Sequence, residues 1–319
     1  MTTAPGTPPP TRLTARSPED LLAVVPVVLG FVPHESVVML TFDAGHPFHA
    51  RVDLPRRHAD VDEVVDALCR PAIGHRVPRV VFVLYAARAG AARRVAGALL
   101  AAFGAAGIDV VDVLRADGCR WFPLLRPHPG AGPAGVPYDV SAHAFAAQAV
   151  LDGRVTHASR EELAASIEAR PDRVAGLVAA LGTPPRRTPE RAGEERWAGE
   201  LVRRHVADGA VPADPEVARL LVALGERRVL DGVRAAMTRE QAAAHAAFWT
   251  DVVRRAPDDL LAAPAALLGL AAWLAGHGAL AWCALDRCAA VDPDHALAEE
   301  VAQLLLHAVP PRTWDADRP

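Results

Sequence analysis

Residues 80–85 read Val-Val-Phe-Val-Leu-Tyr, and every position in this run is apolar. A strand with one face in water alternates apolar and polar side chains, so an unbroken apolar run predicts a strand covered on both faces. Residues 91–106 follow with apolar side chains at helical spacing, and Gly107 ends that pattern. A buried strand followed by a helix is typical of α/β proteins.

The segments on either side predict the rest of a sheet. Residues 37–42 form a second apolar run, and residues 49–54 alternate polar and apolar side chains as a half-exposed strand does. Residues 108–116 and 119–125 flank an Asp-Gly dipeptide, which strongly favours a two-residue hairpin turn. We therefore predict an α/β fold in which a mixed sheet is flanked by helices.

Beyond this sheet the chain has helical patterns only, which predicts an all-α second half. Residues 126–139 hold four prolines and three glycines without periodicity, and we predict a long loop there. Ser159 and Glu162 have the spacing of a helix capping box. The predicted organisation is a disordered leader at residues 1–11, an α/β domain with appended helices at 12–182, a linker at 183–193, a helical domain at 194–311 and a tail at 312–319.

Composition excludes several classes of protein. All 34 residues counted as Lys or Arg are Arg, and the chain has no Lys and no Asn. Schiff-base enzymes and P-loop nucleotide-binding proteins both need a lysine, so neither class fits. The net charge of −4 argues against nucleic acid as a partner.

The cysteines and histidines bear on location and cofactors. The four cysteines among 319 residues are scattered, so they indicate a reducing, cytoplasmic setting rather than a disulfide scaffold. None of the thirteen histidines lies near Cys or a carboxylate at the spacing of metal ligands. We expect no metal and no cofactor.

One segment has the length of a membrane span, because residues 260–285 contain no Asp, Glu or Arg. Pro264, the Gly-His-Gly break at 276–278 and the many alanines argue for two short buried helices instead. We therefore expect no membrane contact.

Residues 17–40, which read SPEDLLAVVPVVLGFVPHESVVML, resemble an actinobacterial family catalogued only as a domain of unknown function. The resemblance continues through RVDLP at 51–55, GCRW at 118–121, SREEL at 159–163 and AAWLAGHGALA at 271–281. It covers nearly the whole chain and implies an origin, but no activity.

The helical pair near residues 264–309 resembles a tetratricopeptide repeat. We find one such unit clearly, whereas about three are needed for a stable repeat array. The resemblance therefore implies that this pair packs against other helices.

The predicted hairpin provides the main candidate site. A turn at residues 117–118 would place Arg115 directly opposite Arg120, with Trp121 beside them. Like charges in that position repel unless a carboxylate or a bound anion offsets them. The candidate binding residues are therefore Arg115, Arg120 and Trp121, with Arg51 and Asp53 on a neighbouring strand. The alternative is that both arginines point into solvent or contact a carboxylate such as Asp53.

Two other groups are weaker candidates. Arg88, Arg93 and Arg94 lie near the start of the helix after residue 85, where open α/β sheets bind anions, although ordinary strand-to-helix packing explains the same residues. Residues 34–36 read His-Glu-Ser, which are hydrolase residue types without the motif of a nucleophile elbow.

We expect a non-catalytic cytoplasmic interaction protein whose helical half binds a protein partner. The alternative is an enzyme or sensor that binds a small anionic ligand at the α/β domain, through Arg115, Arg120 and Arg51. The two functions predict different structures, since a ligand site requires those arginines to converge in a cleft beside Trp121.

Overall fold

The computed structural model describes residues 14–45, 48–182 and 191–316, and these residues divide into two compact units. The α/β unit consists of residues 14–28 and 32–156. The helical unit consists of residues 29–31 and 157–316 without the gap at 183–190.

The α/β unit has the predicted fold class, a mixed sheet with helices. Its elements are α1 Pro18–Leu29, β1 Ser36–Phe42, β2 His49–Asp53, α2 Val61–Gly74, β3 Arg79–Tyr85, α3 Ala89–Ala105, β4 Asp109–Ala116, β5 Arg120–Pro123, β6 Val136–Pro137 and α4 Ala144–Leu151.

The sheet is built around the apolar run that begins at residue 80. The strand order is β2-β1-β3-β4-β5-β6, so β3 is an inner strand, and residues 80–85 are all buried as predicted. The pairing of β3 with β4 is parallel, while the other neighbouring strands are antiparallel. The parallel pair requires a crossover, which α3 provides.

Helices α2 and α3 pack against one face of this sheet. Phe82 of β3 contacts Phe103 of α3 edge to face, with ring centroids 4.9 Å apart. Leu68 of α2 and Leu99 of α3 are buried in the same core. Alternate residues of β3 therefore supply the core under the helices, and the other residues of the strand are buried on the opposite face.

The segment 126–139 was predicted as a loop and contains one short strand. Val136 pairs with Trp121, and Pro137 pairs with Arg120, which makes β6 the edge strand. A proline is tolerated there because an edge strand has free hydrogen-bonding positions.

The helical unit is all α within the described residues, as predicted. Its helices are α5 Arg160–Ala165, α6 Pro171–Leu181, α7 Arg191–Asp208, α8 Asp214–Ala223, α9 Arg227–Ala235, α10 Ala242–Arg255, α11 Ala262–Leu274, α12 Gly278–Val291, α13 Ala296–Leu306 and α14 Thr313–Ala316.

The boundary between the units differs from the predicted one. The α/β unit ends at Thr156 rather than at residue 182, because Leu163, Ile167 and Leu177 of the intervening segment are buried in the helical core. Residues 191–193 of the predicted linker begin α7. The leader at 1–11 and residues 183–190 lie outside the described residues.

The long uncharged segment forms a helical hairpin. Gly276, with φ of +77°, separates α11 from α12, so the segment reverses direction near its middle. Gly269 lets the two helices approach closely, since a Cβ atom there would lie 2.9 Å from Leu285 Cδ2. Among the residues that the structure describes, no helix is both long enough and apolar enough to span a membrane.

A buried arginine connects three parts of the helical unit. Arg255 is only 1% exposed, and its guanidinium donates hydrogen bonds to the Pro212 carbonyl (2.9 Å) and to Asp214 Oδ1 (3.0 Å). It also forms an ion pair with Asp251 on its own helix. On α6, Gly176 lies so close to Asp214 that a Cβ atom would be 2.9 Å from Asp214 Oδ2. These contacts hold the start of α8 and the end of α10 together, and α6 lies beside them.

We predict that the helical unit loses stability in mild acid because of His245. The side chain is 2% exposed, its Nδ1 atom has no hydrogen-bond partner, and burial lowers its pKa to about 4. The unfolded chain takes up this proton near pH 6.5, so stability is complete above pH 6.5 and falls as the pH drops towards 4. The loss from this group should reach about 2 to 3 kcal/mol, measured by urea unfolding at a series of pH values.

The controls for this prediction are His245→Leu and His307→Gln. The first should remove most of the pH dependence between 6.5 and 4.5, and the second, at an exposed histidine of the same unit, should retain it. Equal pH dependence in all three proteins would show that His245 is not the cause.

Candidate functional site

The hairpin that suggested a site has a different register from the predicted one. Arg115 pairs with Phe122 and not with Arg120. The two turn residues are 118–119, one position later than predicted. The predicted opposition of the two arginines is therefore wrong.

Asp117 explains this shift. Its Oδ1 atom accepts hydrogen bonds from the backbone N–H groups of Cys119 (3.1 Å) and Arg120 (2.8 Å), as the first residue of an Asx turn does. Gly118 has φ of +99°, and a type II′ turn requires a positive φ at its first central residue. The Asp-Gly dipeptide correctly indicated a hairpin, but Asp117 precedes the two turn residues.

Arg115 is used by the protein itself. It is 7% exposed, its Nε donates to the Ala86 carbonyl (3.0 Å), and a terminal nitrogen forms an ion pair with Asp117 (3.0 Å). Its guanidinium also stacks on the ring of Phe122 at 4.1 Å. The charge is neutralised within the fold, so it requires no bound anion.

Arg120 and Trp121 also make structural contacts. Arg120 donates to the carbonyl groups of Ala134 (3.2 Å) and Gly135 (3.1 Å), which fixes the segment before β6. The buried Trp121 donates its indole N–H to Glu19 of α1 at 2.8 Å. Both side chains bind neighbouring parts of the α/β unit.

Arg51 and Asp53 lie at the other end of the sheet. They form an ion pair at 2.6 Å, and Arg51 Nε donates to the buried Ser36 hydroxyl at 2.9 Å. Strands β1 and β3 separate β2 from β4, which places Arg51 about 14 Å from the strand of Arg115. The structure therefore does not bring the five predicted residues together.

The start of α3 carries a carboxylate of the protein. Glu35 Oε1 accepts a hydrogen bond from the backbone N–H of Ala87 at 2.8 Å, next to Arg88. A carboxylate of the protein therefore lies just before the helix start at which an anion was predicted to bind. Ser36 donates to the His34 carbonyl at 2.6 Å, so residues 34–36 are not arranged as a catalytic triad.

Two histidine-carboxylate pairs were not predicted. His128 and Asp112 are 2.9 Å apart, and the His128 ring lies edge-on to Trp121 with centroids 5.3 Å apart. His143 contacts Asp20 at 3.0 Å, and its other ring nitrogen accepts from the backbone at the start of α4, so this histidine caps that helix. No sequence signal joins residues so distant in the chain. Within the described ranges, no group of three His, Cys, Asp or Glu residues could hold a metal ion.

The helical unit has an open groove of about 440 Å³. It lies beside α5, the start of α6 and the end of α10. Most of its lining is polar, with two carboxylates, two guanidinium groups and one imidazole. The lining residues are His157, Glu162, Ala165, Ser166, Glu168, Ala169, Arg170 and Arg254.

One wall of the groove is the predicted capping box. Ser159 accepts a hydrogen bond from the Glu162 backbone N–H at 3.2 Å, and the Glu162 carboxylate accepts from the backbone N–H of Ala158. Both bonds satisfy donors at the start of α5. One carboxylate oxygen of Glu162 is therefore used at the start of its own helix.

Two arginines also line the groove. The backbone N–H of Arg170 donates to the Arg254 carbonyl at 2.9 Å, which holds the residues side by side. Arg254 Nε donates to the Ser166 carbonyl at 2.6 Å. Burial and the neighbouring charge of Arg170 lower the pKa of Arg254. Sequence analysis missed this pair because 84 positions separate its members.

We predict that replacing Arg120 lowers the free energy of unfolding. If Arg115 and Arg120 were directly opposite each other, removal of one charge would relieve repulsion and raise it instead. Arg120→Gln removes bonds to two carbonyl groups and should cost about 1 kcal/mol. Arg115→Gln also breaks a buried ion pair and should cost about 3 kcal/mol. Urea unfolding of the two variants measures both changes. An increase in the free energy of unfolding for Arg120→Gln would contradict the observed register.

No curated protein and no solved structure matches the chain significantly. A family model described as a domain of unknown function, DUF4192, matches residues 18–312, which include the strands of the sheet, the hairpin and the groove. The chain belongs to the DUF4192 family of domains of unknown function.

Proposed function

We propose that this protein is a non-catalytic interaction protein of the cytoplasm, and that its helical half binds a protein partner. The observation that carries this proposal is the open groove on the helical unit, with the neighbouring guanidinium groups of Arg170 and Arg254 in its wall. Binding by such a surface needs no cofactor, and the proposal includes none.

The shape of the groove favours a macromolecular partner. Glu168, Ala169 and Arg170 are exposed at its rim, so a small molecule bound there would remain largely in water. Sites for small molecules usually bury most of the ligand surface. A segment of another protein can lie across an open groove and make further contacts beyond it.

The cysteines support the cytoplasmic location. All four are free thiols, and burial raises the pKa of Cys69, Cys283 and Cys288. Buried thiols with a raised pKa are poor nucleophiles, so they suit a structural role in a reducing compartment.

The alternative function, an enzyme or sensor for a small anion at the α/β unit, gains no support from the contacts. It depends on Arg115, Arg120 and Arg51. Each of these arginines donates to a carbonyl, a hydroxyl or a carboxylate of the protein, and Arg51 lies several strands from the other two. A ligand would have to displace those groups.

We predict that a partner captured from the native cells depends on Arg170. The full chain, Arg170→Gln and Arg227→Gln would each be expressed there with an affinity tag, and crosslinked complexes identified by mass spectrometry. Arg227 is a matched control, since it is an arginine of the same unit with a side chain 91% exposed and outside the groove.

The unmodified chain and Arg227→Gln should capture the same protein, with crosslinks to the helical unit. Arg170→Gln should capture at least fivefold less of it. Crosslinks confined to the α/β unit, or equal capture by the three proteins, would contradict the proposed function.

A further inference from the structure

The two arginines of the groove lie in an acidic unit. Residues 157–319 contain 19 arginines and 24 carboxylate side chains, so the unit is acidic as a whole. Most of the described arginines there form ion pairs with a carboxylate. They include Arg160, Arg173, Arg203, Arg204, Arg219, Arg227, Arg234 and Arg255.

Arg170 and Arg254 are not among these eight residues. Within the part of the chain that the structure describes, neither forms an ion pair with a carboxylate, although each lines the groove. Arg254 uses Nε to bind the Ser166 carbonyl, and no described acceptor takes its two terminal nitrogens. Arg170 uses its backbone groups to bind neighbours, while its side chain donates to no described group.

The fold keeps these two like charges together. The hydrogen bond between the Arg170 N–H and the Arg254 carbonyl joins the start of α6 to the end of α10 and holds the two backbones side by side. Repulsion between the guanidinium groups is a cost that the free protein bears. A carboxylate placed between them would remove the cost and accept charge-assisted hydrogen bonds from both.

The two glutamates of the groove do not supply that carboxylate. Glu162 accepts a backbone hydrogen bond at the start of α5. Burial lowers the pKa of Arg287, and the negative charges of Asp258 and Glu168 partly offset that effect, so the Glu168 carboxylate lies near a different arginine. The positive wall of the groove is thus left for an external group.

We propose that the groove binds an acidic segment of the protein partner, with a carboxylate side chain bridging Arg170 and Arg254. This inference rests on the proposed function and adds the chemistry of the partner. Charge complementarity supports it, since the unneutralised pair lies in an otherwise acidic unit that would repel an acidic segment elsewhere.

The test is titration calorimetry of the full chain with a short glutamate-rich peptide at constant ionic strength. The same peptide with every glutamate replaced by glutamine is the uncharged control, and inorganic phosphate is a third probe. We expect the glutamate peptide alone to bind with measurable affinity and to bind more weakly as salt is added. Arg170→Gln should weaken binding about tenfold, while Arg227→Gln should not change it.

Arg254→Lys provides a second variant that keeps the positive charge. It should weaken binding at least threefold, because lysine lacks the planar group that can bind Ser166 and a carboxylate together. Circular dichroism and thermal unfolding show whether each variant is folded. Arg170→Gln should fold normally, since its side chain makes no described hydrogen bond.

Three results would overturn the inference. They are equal binding of the glutamate and glutamine peptides, equal affinity of Arg170→Gln and the unmodified chain, and binding of phosphate but not of either peptide. If the native partner is captured through Arg170 and the glutamate peptide does not bind, the acidic chemistry is wrong and the proposed function stands. If the glutamate peptide binds through Arg170 and no partner is captured, the proposed function fails instead.

Discussion

Arg255 places a full positive charge inside the helical unit, where a charge is stable only when several acceptors surround it. Asp214, Asp251 and the Pro212 carbonyl are those acceptors, so the sequences before α8 and at the end of α10 must come together around one guanidinium. Gly176 lets α6 approach the same point without a side chain in the way. Removing both carboxylates would leave a buried charge uncompensated, at a cost of about 3 to 5 kcal/mol.

This constraint also positions the groove. Arg254 precedes Arg255 on the last turn of α10, and neighbouring residues of a helix point about 100° apart. With Arg255 fixed in the interior, Arg254 is directed to the groove, where Ser166 orients its guanidinium and the backbone of Arg170 holds α6 beside it. The buried ion pair of Arg255 therefore positions the half-buried Arg254 next to the exposed Arg170, and neither forms an ion pair with a described carboxylate.

Local signals in the sequence predicted the fold, whereas the groove depends on contacts between distant residues. The apolar run at 80–85 predicted an inner strand, and the Asp-Gly dipeptide predicted a hairpin. Both predictions were possible because periodicity and turn chemistry depend on residues that are close in the sequence. The turn lies one position later than predicted, because the Asp117 side chain accepts hydrogen bonds from the backbone N–H groups of Cys119 and Arg120. The pairing of Arg170 with Arg254 has no local signal. The helices at 160–181 belong to the helical unit because α6 packs against α8 and α10, and α5 packs against α12.

Binding at the groove is observed most directly by NMR of the arginine side-chain Nε–H groups while the glutamate-rich peptide is added. We expect the signals of Arg170 and Arg254 to shift together and to saturate at the same peptide concentration. The signals of Arg115 and Arg120, which already donate to groups of the protein, should stay in place. Shifts at Arg115 and Arg120 with none at Arg170 and Arg254 would contradict this expectation, and would move the binding surface to the α/β unit.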